Sequence, residues 1–217
     1  MLELNQAERQ TTKRRRAARD SRKARKEKKK MLESNYYYED AAISAWIANL
    51  GKYNEGELVG QWISFPISEE DLDEVLKEIQ IGSCDAVGCP YEEFAFFDYN
   101  INIPGLSWET FGEYAQIETL NEAAEAWDNL KEYERDTVAA ILEAGQESSV
   151  QDAIDNIDNY YLLTNVNDEY DLGYYYIEEV GGREIPEWLS SYIDYEAYGR
   201  DCAYDGNFTS YGFLERC

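Results

Sequence analysis

Apolar residues change their spacing several times along this chain, and each change marks an element. Positions 44–50 (SAWIANL) and 57–65 (ELVGQWISF) read as short strands, with order beginning near Ile43. Between them Gly51, Lys52, Tyr53, Asn54, Glu55 and Gly56 are turn residues, so the pair predicts a hairpin with a long loop. Ser68 stands three residues before Asp71, and Leu72, Val75, Leu76 and Ile79 then follow at helical spacing. A capped helix is expected there, stopped by Gly82. A third strand is expected over 93–99 (EFAFFDY), which makes 44–106 a ββαβ module.

The next stretch, 107–158, carries one long apolar stripe of Leu120, Ala123, Ala124, Trp127, Leu130, Val138, Ile141 and Leu142. Glu122, Glu125, Asp128, Glu132 and Asp136 lie on other faces, three or four residues apart, so this part reads as an acidic helical module. The remainder, 159–217, predicts a strand at Tyr160 (YYLLTN), a helix from Leu172 to Val180 and a break at Gly181 and Gly182. Pro186 is expected in the first turn of a further helix through Tyr198, and 207–214 as a closing strand. Tyr192, Tyr195 and Tyr198 recur at helical spacing and are read as core or interface packing. No internal repeat is visible. The fold class expected is α+β, an elongated chain of three small modules.

Charge divides the chain differently. Residues 1–30 hold 13 Lys or Arg against four acids, whereas the rest keeps seven basic and 41 acidic residues. The head, within a basic extension over 1–43, lacks an apolar face to bury and is expected to be flexible. So acidic a body would read as disordered if it were poor in aromatics. It carries all 19 Tyr, 7 Phe and 5 Trp of the chain, enough to build cores, and is read as folded. No run of about 18 apolar residues is present, so no membrane span is expected. The basic start lacks the apolar stretch of a secretory signal.

Candidate chemistry is thin. There is no histidine, hence no Ser-His-Asp or Cys-His arrangement and no histidine metal site. Cys84, Cys89, Cys202 and Cys217 are too sparse for a disulfide framework and are expected to be reduced. Asp98, Asn100, Asn102 and Glu109 match alternate positions of a calcium loop, but Ile103 occupies the place that needs glycine, so no metal is expected. No glycine-rich phosphate loop occurs. What remains is the charge. Duplex DNA carries one negative charge per roughly 1.7 Å of axis, and a surface of comparable charge can compete for a Lys/Arg-lined channel. A surface made acidic for solubility or for high salt is the alternative. Composition alone leaves both open.

Sequence blocks narrow the choice. Residues 47–60 (IANLGKYNEGELVG) with Trp62, the strand ending in Asp98 and Tyr99, Tyr175 to Glu179 (YYIEE), Pro186, and 192–201 (YIDYEAYGRD) resemble, in order and spacing, the ArdA antirestriction proteins of mobile genetic elements. Phe97 stands where members often carry histidine. The resemblance begins near Ala45 and leaves 1–44 outside it.

The resemblance implies an elongated α+β protein that dimerises through its C-terminal modules. It also implies an acidic surface imitating bent B-DNA, bound by the DNA-binding core of a type I restriction-modification enzyme. It further implies no reaction, no cofactor, and a cytoplasmic role in a bacterial host, evading its defences. The acids expected to stand in for phosphates are Glu69, Glu70, Asp73, Glu74 and Glu78 on the first helix, and Glu122, Glu125, Asp128, Glu132 and Asp136 in the middle. Asp168, Glu169, Asp171, Glu178, Glu179, Asp194 and Glu196 extend the set in the last module. The acidic body is not expected to bind nucleic acid or membrane. Two other readings are a DNA mimic aimed at another defence protein, such as a CRISPR effector, and an acidic adaptor or cation-binding protein.

Overall fold

The computed structural model describes residues 36–181 and 185–217. The basic head, and Gly182 of the expected glycine break, lie outside the described residues. The fold is α+β, and the chain forms two compact units, Met1–Asp98 and Tyr99–Cys217.

The first sheet has the order β2-β1-β3, from β1 (Ile43–Asn49), β2 (Gly60–Phe65) and β3 (Phe94–Ile101). β1 and β2 are antiparallel, with Ile43 opposite Phe65 and Trp46 opposite Trp62. As the central strand, β1 is covered on both faces, and only Trp46 is partly exposed. That is why its sequence reads as a nearly unbroken apolar run rather than an alternating one. The expected hairpin loop contains a short helix, α1 (Leu50–Asn54). Asn49 starts it: its side-chain oxygen accepts from Lys52 N–H at 3.0 Å, and its amide donates to Ile79 O at 3.0 Å. A fully buried asparagine is thus paired at both ends, as burial requires.

Helix α2 (Glu69–Glu78) begins where expected, with Ser68 accepting from Asp71 N–H at 3.1 Å and three acids in the first turn, where the helix dipole favours them. Val75 and Ile79 are buried, as are Phe65 and Phe96, whose rings meet edge-on at 6.1 Å. The helix stops earlier than Gly82. Gln80 takes the left-handed conformation (φ 66°) and donates to Lys77 O, while Ile81 donates to Leu76 O. These two bonds close the helix end without the glycine.

The second unit contains α3 (Trp108–Phe111), α4 (Ile117–Asp128), α5 (Glu132–Glu143) and α6 (Val150–Asp155). Then come β4 (Tyr160–Leu163), α7 (Glu169–Tyr174), α8 (Glu187–Ser190), α9 (Tyr195–Cys202), β5 (Gly206–Thr209) and β6 (Gly212–Arg216). The sheet order is β4-β6-β5, both pairings antiparallel, and α5 packs against β4 and β6.

Three expectations for the last segment need correction. The helix expected from Leu172 starts at Glu169, because Asp168 caps it through Asp171 N–H (2.9 Å), and it widens to a π-helical turn over Tyr175–Val180. The single helix from Pro186 through Tyr198 is two: Asp194 accepts from Ala197 N–H at 3.0 Å and starts a new helix there. The closing strand over 207–214 is a hairpin. Thr209 Oγ1 accepts from Tyr211 N–H and donates to Gly212 O, reversing the chain between β5 and β6.

Helices α7 and α9 cross with a glycine on each. A Cβ on Gly173 would lie 1.9 Å from Tyr195 O, and one on Gly199 would lie 1.7 Å from Glu169 O. The backbones meet there without side chains between them. Tyr195 is buried beside this crossing, with the rings of Tyr170 and Tyr174 each 5.5 Å away. Tyr192 lies before α9 and is 81% exposed, and Tyr198 is 46% exposed, so the three tyrosines do not form one packed row.

Candidate functional site

Amphipathic helices that bury one stripe must turn the other outward, and here the outward stripes are acidic. On α2, Leu72, Val75, Leu76 and Ile79 face inward, while Glu69, Glu70, Asp73, Glu74 and Glu78 are exposed, with Glu70 and Glu74 opposite that stripe, Asp73 and Glu78 flanking them and Glu69 at the stripe's edge. At about 100° per residue, Glu118, Glu122 and Glu125 of α4 fall within about 60° of one another and lie roughly opposite the buried Leu120, Ala124 and Trp127. Asp128 is exposed at the last position, turned to one side. Glu118 was missed by sequence reasoning, although its four-residue spacing from Glu122 marks it.

On α5, Glu132 and Asp136 are exposed, but the helix is buried all round from Val138 to Leu142. Its acidic face is therefore confined to the first turns. Glu143, which shares the Glu132 side, is tied instead to Ser210: its carboxylate accepts from Ser210 N–H at 2.9 Å and from the Ser210 hydroxyl.

The acids expected in the last segment have more local work. Asp168 and Asp194 cap helices, and Asp171 accepts from Asn167 N–H at 3.0 Å. Glu196 pairs with Arg200 at 3.0 Å, one helical turn away. Glu178 accepts from the Tyr195 hydroxyl. Glu169, Asp171 and Glu178 are half-buried; Asp168, Glu179, Asp194 and Glu196 are exposed. Asp168, Asp171, Glu178, Asp194 and Glu196 thus make local bonds as well as contributing charge, unlike Glu69, Glu70, Asp73, Glu122, Glu125 and Asp128. Among the described residues, no ion pair joins those six to a Lys or Arg.

Five carboxylates are held by tyrosine hydroxyls. Tyr36 donates to Glu74 at 2.5 Å, Tyr91 to Glu55 at 2.7 Å, Tyr176 to Glu215 at 3.0 Å and Tyr160 to Glu147 at 3.3 Å, alongside Tyr195 to Glu178. The negative field around these phenols opposes their ionisation. The Glu74 hydrogen bond pushes Tyr36 up to about 12, with Glu78 and Asp71 adding to it, and the Glu178 bond pushes Tyr195 up to about 12. Burial, then Glu215, raises Tyr176. By contrast the Lys131 ammonium beside Glu134 holds that carboxyl below its ordinary value.

Asp98 and Asn100 of the calcium-loop match lie within β3, in extended backbone. Among the described residues, no three His, Cys, Asp or Glu side chains are grouped to hold a metal ion, and all four cysteines are unpaired. No helix among the described residues is long and apolar enough to cross a membrane.

Fold and surface together define a class: an α+β protein whose small cores are faced by helices carrying exposed, largely unneutralised carboxylates. The family model for the antirestriction protein (ArdA) matches residues 45–215, and the chain belongs to that family. No curated protein matches the chain. Membership agrees with the resemblance carried by the opening hairpin and the last tyrosine-rich block. It points to an antirestriction function and to restriction-modification enzymes as partners.

Proposed function

We propose that the chain is a DNA mimic that competitively occupies the DNA-binding groove of a type I restriction-modification enzyme. The observation that supports this most is that Glu69, Glu70, Asp73, Glu122, Glu125 and Asp128 are exposed and, among the described residues, in no ion pair with a Lys or Arg. A groove lined with Lys and Arg gains affinity by releasing the counterions of whatever polyanion enters it. On this reading the chain carries out no reaction, needs no cofactor, and acts in the cytoplasm of a bacterial host.

The division into modules at 44–106, 107–158 and 159–217 belongs to the same proposal, as does a homodimer formed through the last of them. Exposed Trp188, Tyr192, Tyr198 and Tyr204 supply apolar surface for that contact.

The test is cleavage of unmodified DNA by a type I enzyme with increasing amounts of the chain, repeated across salt concentrations. Changing Glu69, Glu70, Asp73, Glu122, Glu125 and Asp128 together to the corresponding amides is expected to abolish most inhibition and flatten its salt dependence. Any one of these changes alone is expected to shift the half-inhibitory concentration less than about threefold, since each removes one charge of many. Loss of all inhibition from one amide substitution would refute distributed mimicry.

A further inference from the structure

A cleft of about 670 Å³ opens within the second unit, beside α4. It exists because α4 has a third face. Leu120, Ala124 and Trp127 turn into the core, the acids turn outward, and between them Ala123 and Ala126 are too small to fill the space against Phe111 and Val150. The lining therefore has an apolar part around Phe111, Ala123, Ala126 and Val150, uncharged polar residues such as Thr119, Asn129 and Ser148, and two carboxylates, Glu122 and Glu125, and it contains no Lys or Arg.

That combination has a definite complement. Lys and Arg side chains carry an apolar stem that packs on such a floor and a cationic end that pairs with carboxylates. The lining offers two carboxylates, too few for a metal ion that takes six or more oxygens, and so suits an organic cation better. The volume exceeds what one side chain fills and lies within the usual range of roughly 300 to 1,000 Å³ for ligand sites.

We infer that this cleft seats a Lys- or Arg-bearing segment of the protein partner, so that Glu122 and Glu125 engage it in a pocket and not only as surface charge. The inference rests on the mimic reading and specifies where on the chain contact is shape-dependent.

Ala126→Trp fills the cleft and leaves the charge unchanged; Ala123→Trp does the same from the next turn, and Ala126→Ser is the size control. Thermal melting establishes that each variant is folded. In the cleavage assay, either tryptophan is expected to raise the half-inhibitory concentration about tenfold or more, as loss of a buried anchor does, with the salt slope unchanged and the serine control silent. The same ordering is expected for calorimetric binding of a short Arg/Ala peptide. Each chain is assayed in full and starting at Met31.

Equal inhibition by folded tryptophan variants and the unchanged chain overturns the inference while leaving the mimic reading intact. A gain of inhibition confined to the full-length variants also overturns it, because the occupant would then be the chain's own basic head. Failure of the unchanged chain to inhibit removes the mimic reading itself.

Discussion

Replacing Gly199 by alanine sets two effects of opposite sign against each other. In a helix interior alanine is favoured over glycine by roughly 0.5–1 kcal/mol, because it restricts the unfolded chain. Against this, the new Cβ would lie 1.7 Å from Glu169 O and 2.7 Å from Gly173 N, whereas ordinary contact begins near 3.4 Å. The obstacle is backbone, which cannot rotate aside as a side chain would. Helices α7 and α9 must part by roughly 1.5 Å, which disturbs the packing of Leu172 and Tyr195. Overpacking of this kind costs about 1–3 kcal/mol, and contact with backbone puts it at the upper end.

The net expectation is a loss of about 2 kcal/mol. For a protein of this size that corresponds to a fall in Tm of roughly 4–8 °C. Urea titration and thermal melting of the unchanged chain, Gly199→Ala and Gly173→Ala measure it. The double variant should cost less than the two singles combined, because the first alanine already separates the helices. If Gly199→Ala is neutral or stabilising, helix propensity has won and the close crossing is not a feature of the folded chain.

Two further outcomes follow from groups already described. Asn49→Ala removes the cap on α1 and leaves Ile79 O without its buried donor; a loss of about 2–3 kcal/mol in urea denaturation is expected, and a loss under about 0.5 kcal/mol would contradict the pairing. Tyr36 and Tyr195 titrate at about 12 in the folded chain against 10.0 for the free phenol, so folding favours their protonated forms. Their contribution is complete below pH 10 and is lost as pH rises towards 12, so Tm should fall through that window in step with tyrosinate absorbance, and a flat profile there would count against these bonds.

What the sequence made legible was what short-range pattern controls. The hairpin, the Ser68 cap and the apolar spacing of α2 depend on neighbours within a turn or a strand pair, and they appear where that pattern puts them. The acids of α2 and α4 were legible for the same reason, because a buried stripe implies its opposite face.

The misses have physical causes too. Gln80 in a left-handed conformation gives no compositional sign, so Gly82 drew the boundary. Tyr192, Tyr195 and Tyr198 share a spacing that suggests one helix, but Asp194 intervenes as a cap and starts a new one. The turn between β5 and β6 lacks the usual glycine-containing pair, so the two strands, whose Phe208 and Phe213 rings pack tilted at 4.9 Å, read as one. The glycine crossing of α7 and α9 depends on residues 26 positions apart, beyond the reach of any local pattern.

The tyrosine-held glutamates carry a consequence of their own. An ammonium or guanidinium would fix a carboxylate equally well, but each would cancel one unit of charge from a body already short of cations. A phenol fastens the side chain and stays neutral up to strongly alkaline pH. The protein can thereby order Glu74, Glu147, Glu178 and Glu215 while its overall negative potential remains undiminished.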